Sequence, residues 1–357
     1  MQPDRAWVHA AIERLNADNQ RSSDTHLFRL DLPALPNIAL YLKDESTHLT
    51  GSLKHRLARS LFLYALCNGQ LGPDTPVIEA SSGSTAVSEA YFAQLLGVRF
   101  LAVMSGTTSP EKIRRIARYG GECVFVEQTG IERSVAQTLA AKLSGHFMDQ
   151  FTYAERATDW RGNNNIAESI FAQMALEEHP IPRWVICGAG TGGTSATLGR
   201  YIRYRCFPTR LCVVDPPESV FHEYWQTGDT AIERAHGSGI EGIGRPRVPA
   251  SFLRDIVDRV IVVPNAASLA AMHLLDEITG RRCGGSTGTN LVGAFELIAE
   301  MQAAGESGSV VTLICDSGDL YRDTYYDSAW LETHGFDLDA DLARLRRFYH
   351  TGIWSGG

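Results

Sequence analysis

The run Gly188-Ala189-Gly190-Thr191-Gly192-Gly193-Thr194 is the densest chemical signal in the chain. It follows the apolar run Trp184–Cys187 and precedes a helical pattern. Glycines there let the main chain approach a ligand closely, and a helix start offers free N–H groups at the positive end of a dipole, so the loop favours a phosphate. The loop alone leaves open which phosphate. Gly188, Gly190 and Gly193 satisfy G-x-G-x-x-G, and Asp215 ends the next strand near the spacing at which dinucleotide folds bind ribose. An oxidoreductase binding NAD or FAD is therefore one reading, although Asp215 also serves simply to cap its strand.

Two further motifs lie upstream. Thr50-Gly51-Ser52-Leu53-Lys54-His55-Arg56 presents a lysine among small polar residues, and Glu79-Ala80-Ser81-Ser82-Gly83-Ser84-Thr85 places hydroxyls at the start of a helical pattern. A buried lysine can lose its proton and attack a carbonyl carbon. The hydroxyls suit both helix capping and the binding of a carboxylate at the helix start. Capping is equally available to Ser286 and Thr287, which open a later helical pattern. Beside Lys54, His55 reads as a packing histidine.

These motifs need rigid elements to position them. Strand-length apolar runs at residues 76–80, 99–104, 122–126, 183–187, 210–214, 259–263 and 309–315 alternate with helical patterns at 84–96, 110–119, 131–143, 164–178, 194–204, 268–279 and 289–303. Near-continuous hydrophobic strands with helices between them predict an α/β protein whose parallel-rich sheets are covered by helices. A Gly-, Pro- and charge-rich stretch, 216–251, breaks the alternation. An amphipathic pattern in 337–357 ends the chain as a tail or a subunit contact.

Composition narrows the classes. Hydrophobic residues make up 44% of the 357, enough for a sizeable core, and the formal net charge is -8. That balance argues against nucleic acid or an anionic membrane as partner. No apolar run approaches the length of a membrane span, and the first residues do not read as a signal peptide. Seven cysteines without C-x-x-C spacing, several of them in strand-like runs, suggest reduced thiols in a cytoplasmic protein and no metal site.

Taken together, the motifs resemble the cysteine synthase and cystathionine β-synthase family, the fold-type-II (tryptophan synthase β-like) pyridoxal-phosphate enzymes. The resemblance runs in family order from about Thr25 to about Tyr321. It implies that Lys54 is the Schiff-base lysine, that Ser81, Ser82, Gly83, Thr85 and Gln150 bind the substrate carboxylate, and that Gly190, Thr191, Gly192, Gly193 and Thr194 hold the cofactor phosphate. It further implies that Ser286 meets the pyridine nitrogen and that Glu241-Gly242-Ile243-Gly244 lies at the mouth of the site. The family's loop carries Asn beside the cofactor's 3′-oxygen. Ser84 stands there instead, a shorter group with a single donor.

The stretches Glu79–Glu89, Phe151–Asn165 and Cys315–Asp319 resemble the L-cysteine desulfhydrase branch. That implies α,β-elimination of cysteine, through an aminoacrylate, to sulfide, pyruvate and ammonia. The β-replacement chemistry of the synthases is the alternative. The resemblance also implies a homodimer of two-domain subunits: a smaller domain over 1–24 and 48–152, a larger one over 25–47 and 153–330, and a tail over 331–357.

Overall fold

The computed structural model describes residues 4–128 and 130–355. Residues 1–3, the start of the expected smaller domain, and 356–357, the end of the expected tail, lie outside the described residues. In chain order the first elements are α1 (Arg5–Gln20), β1 (Leu27–Leu30), β2 (Ile38–Asp44), α2 (Lys54–Cys67), β3 (Val77–Ala80), α3 (Ser84–Leu96) and β4 (Phe100–Ser105). Next come α4 (Pro110–Ala117), β5 (Glu122–Val126), α5 (Glu132–Leu143), β6 (His146–Phe147), α6 (Gln150–Ala157) and α7 (Ile166–Met174). There follow β7 (Trp184–Gly188), α8 (Gly193–Tyr204), β8 (Arg210–Asp215), α9 (Phe221–Thr227), β9 (Arg259–Val262) and α10 (Asn265–Thr279). The last are α11 (Gly285–Ala303), β10 (Gly308–Ile314), α12 (Ser328–Thr333) and α13 (Asp339–Thr351). This is the α/β architecture with parallel-rich sheets that the alternation predicts.

The chain divides into two compact units, Met1–Asp24 with His48–Asp159, and Thr25–Thr47 with Trp160–Gly357. The smaller unit holds a four-stranded sheet of order β5-β4-β3-β6, parallel throughout. Its core gathers Leu61 and Phe62 of α2, Ala90 and Phe92 of α3, and Phe100 and Ala102 of β4.

The larger unit holds a six-stranded sheet of order β1-β2-β10-β7-β8-β9. Only the β1–β2 pair is antiparallel. All seven residues of β2 are buried, Lys43 and Asp44 among them. Burying an ammonium is costly unless it is hydrogen-bonded, and Lys43 donates to the Thr25 carbonyl at 2.6 Å and to Gln173 Oε1 at 2.7 Å. Asp44 is paired with Arg281 at 2.6 Å. The interior charges hid this strand from a reading based on apolar runs.

Close approach of α10 and α11 depends on Gly288, where a Cβ would lie 1.8 Å from the Ser268 carbonyl oxygen. Within the C-terminal pattern of 337–357 the helix is α13, and the short α12 precedes it. Leu345 and Phe348 of α13 join the core of the larger unit, and the helix packs against α10. Within 216–251, a short helix, α9, interrupts otherwise irregular chain. All seven cysteines are free thiols, with Cys187, Cys212, Cys283 and Cys315 buried.

Candidate active site

In the smaller unit, Lys54 is the first residue of α2, its N–H donating to Ser52 Oγ at 3.3 Å. A hydrogen bond between Thr50 Oγ1 and Ser88 Oγ, 2.9 Å long, ties this lysine segment to α3. The His55 ring packs 4.8 Å from His48, 5.3 Å from Tyr91 and 4.7 Å from Phe92. It is a packing histidine, as its neighbourhood in the sequence suggests.

The hydroxyl-rich loop runs from the end of β3 into α3. Capping by its serines does not occur: Gly83 is the N-cap, and no side chain caps the helix. Ser81 Oγ instead accepts from the Gly83 N–H at 3.2 Å, holding the turn before the helix. The first-turn N–H groups of α3 therefore face the loop without a side-chain acceptor, the arrangement that suits an anionic ligand. Thr85 is buried and its hydroxyl donates to Gln150 Oε1 at 2.8 Å, so the structure brings together two residues sixty-five positions apart.

Gln150 is also buried, at the start of α6, and three residues that the sequence reading did not single out hold it there. Glu79, fully buried on β3, accepts from the Gln150 N–H at 3.1 Å and from the Ala80 N–H at 2.7 Å. Asp149, the N-cap of α6, adopts a left-handed φ of 47°, uncommon for a residue with a side chain. Its carboxylate takes a two-point contact from Arg133, at 2.7 and 3.2 Å. Burial pushes Glu79 up to about 7, against the two N–H bonds that favour its charged form. The signal that could have exposed this set is the charge left inside strand-like or motif positions, Glu79 before the serines and Asp149 before Gln150.

In the larger unit, the glycine loop turns from β7 into α8. Gly192 sits at φ 89°, and a Cβ there would come within 2.6 Å of Phe252 Cα. At Gly190 a Cβ would meet the Gly242 carbonyl oxygen at 2.2 Å, and at Gly188 it would strike Ile243 at 2.7 Å. The glycines thus admit the 242–252 segment, which packs directly on the loop: Gly244 N–H donates to the Ala189 carbonyl at 2.8 Å, and Arg245 Nε donates to the Gly190 carbonyl at 3.2 Å. Burial lowers Arg245 to about 10, and its positive charge beside the loop went unnoticed in the sequence. Thr191 is buried, its Oγ1 accepting from the Gly193 N–H at 3.3 Å, and no side chain caps α8.

Ser286 is buried in the first turn of α11, again with a glycine N-cap, Gly284, and no capping side chain. Thr287 Oγ1 accepts from the Cys315 N–H at 3.0 Å, locking this turn to the end of β10. Asp215 does not stand free for a ribose. Its Oδ2 accepts from the His222 N–H at 3.0 Å, fastening the start of α9, and burial pushes it up to about 7.

Comparison with known proteins separates the two phosphate readings. The family model described as "Pyridoxal-phosphate dependent enzyme" matches residues 20–316. The L-cysteine desulfhydrase Cds1 of Mycobacterium tuberculosis is 57% identical over 98% of this chain and 96% of its own length. A putative cysteine synthase of Sinorhizobium fredii is 28% identical over 87% of this chain and 90% of its own. Among solved structures, O-ureido-L-serine synthase superposes with a TM-score of 0.73 at 26% identity, covering 86% of this chain and 96% of that one.

Proposed function

The chain belongs to the family of pyridoxal-phosphate dependent enzymes, and from that premise we propose that it is an L-cysteine desulfhydrase, converting L-cysteine and water to hydrogen sulfide, pyruvate and ammonia. One observation carries the choice of substrate: the 57% identity, over nearly the whole of both chains, to an L-cysteine desulfhydrase. The dinucleotide reading of the glycine loop falls with the family match.

The residues present fit pyridoxal 5′-phosphate. The start of α8 offers main-chain N–H groups with no capping side chain, together with the buried Thr191 hydroxyl, which suits a phosphate. Gly190, Gly192, Gly193 and Thr194 complete that cradle in this reading. Ser286 supplies a neutral hydroxyl for the pyridine nitrogen, and Ser84 a hydroxyl for the ring oxygen. When bound, the cofactor supplies an aldehyde carbon and a ring that withdraws electrons from Cα.

The chain's own groups do the rest. Lys54, at the start of α2, would hold the cofactor's aldehyde carbon through its Nζ, and the same amine would serve as general base for the Cα proton. The start of α3, with Ser81, Ser82, Gly83 and Thr85, orients the substrate carboxylate together with Gln150. The buried Ser286 hydroxyl would meet the pyridine nitrogen as a neutral partner and would place no carboxylate charge there. The same residues serve β-replacement, so access of a second nucleophile is what separates the two outcomes.

The deciding experiment incubates purified holoenzyme with L-cysteine alone and measures sulfide and pyruvate together. Equal release of both supports elimination. Consumption of sulfide with an activated serine, and none of that release, overturns it in favour of a synthase. The reading extends to a cytoplasmic homodimer. Among the described residues no helix is long and apolar enough to cross a membrane, and light scattering of the purified protein tests the dimer.

A further inference from the structure

Beneath the groups assigned to the substrate carboxylate lie two carboxyls with no access to solvent, Glu79 on β3 and Glu89 on α3. Glu79 spends both oxygens on main-chain N–H groups, those of Ala80 and Gln150. Glu89 finds no hydrogen-bond partner for either oxygen among the described residues. It stands one helical turn beyond Thr85, on the same face of α3. The chain of contacts thus runs from Glu79 through the Gln150 main chain, and from the Gln150 side chain to Thr85, with Glu89 one turn below.

A buried carboxylate without a donor is costly, and a second one beside it more so. Burial pushes Glu89 well above the usual carboxylate range, and the neighbouring Glu79 adds to the shift. The other charges facing Glu79 are Asp149 at the start of α6 and Arg133 on α5, while β4 brings no ionisable side chain and β6 brings His146, opposite Val77 in the ladder. Against α3, α1 contributes Asp18, which accepts from Tyr91, α2 contributes Lys54, His55 and the buried Arg59, and the charges of α4 are not buried, while Glu79 is the one charged group that shifts Glu89. None of these gives Glu89 a counter-charge. A substrate carboxylate at Thr85 and Gln150 would add a further negative charge to the same neighbourhood.

We propose that Glu79 and Glu89 are positioning residues for the substrate carboxylate: Glu79 fixes Gln150 through its main-chain N–H, and Glu89, carried as the neutral acid, keeps the ground under Thr85 and Gln150 from holding a second negative charge. The pair makes substrate binding sensitive to pH without touching the reacting atoms. The inference rests on the reading of Thr85 and Gln150 given above.

The test uses holoenzyme and two readouts. Infrared difference spectra of wild type minus Glu89→Gln at neutral pH should show a positive protonated carboxylic-acid carbonyl band, because the variant has lost one such acid while keeping Glu79 and Asp215. Binding of L-alanine, followed by the change in the cofactor's visible absorbance, should weaken with rising pH more in wild type than in Glu89→Gln. The excess should be about twofold at the pH where Glu89 is half ionised and approach about tenfold once it is fully ionised, the order expected for one added nearby charge. The amino group of alanine titrates identically in both proteins and cancels in the comparison. Glu89→Met, which also lacks the carboxyl, repeats the test if the glutamine variant folds poorly. Absence of the acid band, or coincident pH curves for wild type and both variants, overturns the proposal. Failure of the underlying reading looks different: Gln150→Leu would then leave alanine binding unchanged, and L-cysteine would yield no sulfide, while the acid band persisted.

Discussion

The Thr85 hydroxyl donates to the side-chain oxygen of Gln150 at 2.8 Å, joining the first turn of α3 to the first turn of α6. That bond fixes the rotamer of Gln150 and leaves its amide N–H₂ to donate elsewhere. If the amide and the α3 N–H groups hold the substrate carboxylate, Gln150→Leu removes a hydrogen bond to a charged group, worth roughly 1.5–3 kcal/mol. KM for cysteine should then rise roughly 10- to 150-fold, with a smaller change in kcat. Thr85→Val should produce a similar shift, and Thr85→Ser a mild one. The double variant should cost less than the two singles combined, since both remove one shared arrangement.

In the proposed function, Lys54 is the group on which turnover depends most. Lys54→Ala should lower sulfide release at least ~10²- to 10⁴-fold, the range for loss of a general base. It should also make cofactor retention reversible, so that gel filtration strips the visible absorbance that wild type keeps. Unchanged turnover would remove Lys54 from its assigned role.

Two glycines give opposite expectations. At Gly83 an added Cβ meets nothing within 4 Å, and φ is -102°, so Gly83→Ala should fold with wild-type thermal stability. Any rise in KM for cysteine would then report the methyl intruding on substrate space at the start of α3. At Gly190 the added Cβ falls 2.2 Å from a main-chain oxygen of Gly242, which no rotamer change relieves. Gly190→Ala should cost ~1–3 kcal/mol, as overpacking does, and should weaken affinity for pyridoxal phosphate in equilibrium dialysis.

How far the sequence disclosed this molecule depended on what each residue's environment made of it. The strands β4, β5 and β8 were legible because they are short, near-continuous apolar runs, and the helices α3 and α8 because helix-length stretches lie between such runs. β2 was not, because Lys43 and Asp44 lie inside it and only their distant partners, Thr25, Gln173 and Arg281, make that burial tolerable. The glycine loop was legible as a tight strand-to-helix turn, yet the reason for Gly190 lies in Gly242, far along the chain. Gln150 was marked by the resemblance alone, and the carboxyl of Glu79 and the αL turn at Asp149 are what hold it inward. Motifs disclosed the candidate ligand groups. The charges that hold those groups became visible once the chain was folded.

The buried carboxyl on β3 makes stability fall with rising pH. Glu79 carries an ordinary value of 4.5 when unfolded and about 7 when folded, with burial the main cause. Between those values the folded chain binds more protons than the unfolded one, so unfolding becomes easier as pH rises. The stabilisation is complete below about pH 4.5 and is lost on passing about pH 7, amounting to ~3 kcal/mol at most. Asp215, raised by burial from 3.8 to about 7, contributes with the same sign over a window that opens at lower pH, whereas Glu122, lowered by its hydrogen bond to Arg99, acts in the opposite sense from an exposed position. Urea unfolding at about pH 5 and about pH 8 isolates Glu79 when wild type is compared with Glu79→Gln, which cannot titrate. Wild type should lose more stability than the variant between the two conditions, even though the variant is less stable at both through its lost acceptor for an N–H. Glu89→Met should go the other way and gain ~1–4 kcal/mol at the higher pH, because an apolar side chain replaces a buried carboxyl that has no donor. Equal losses in wild type and Glu79→Gln would mean that Glu79 keeps the same affinity for its proton folded and unfolded, and the burial that raises it would have to be offset by charge from Arg133.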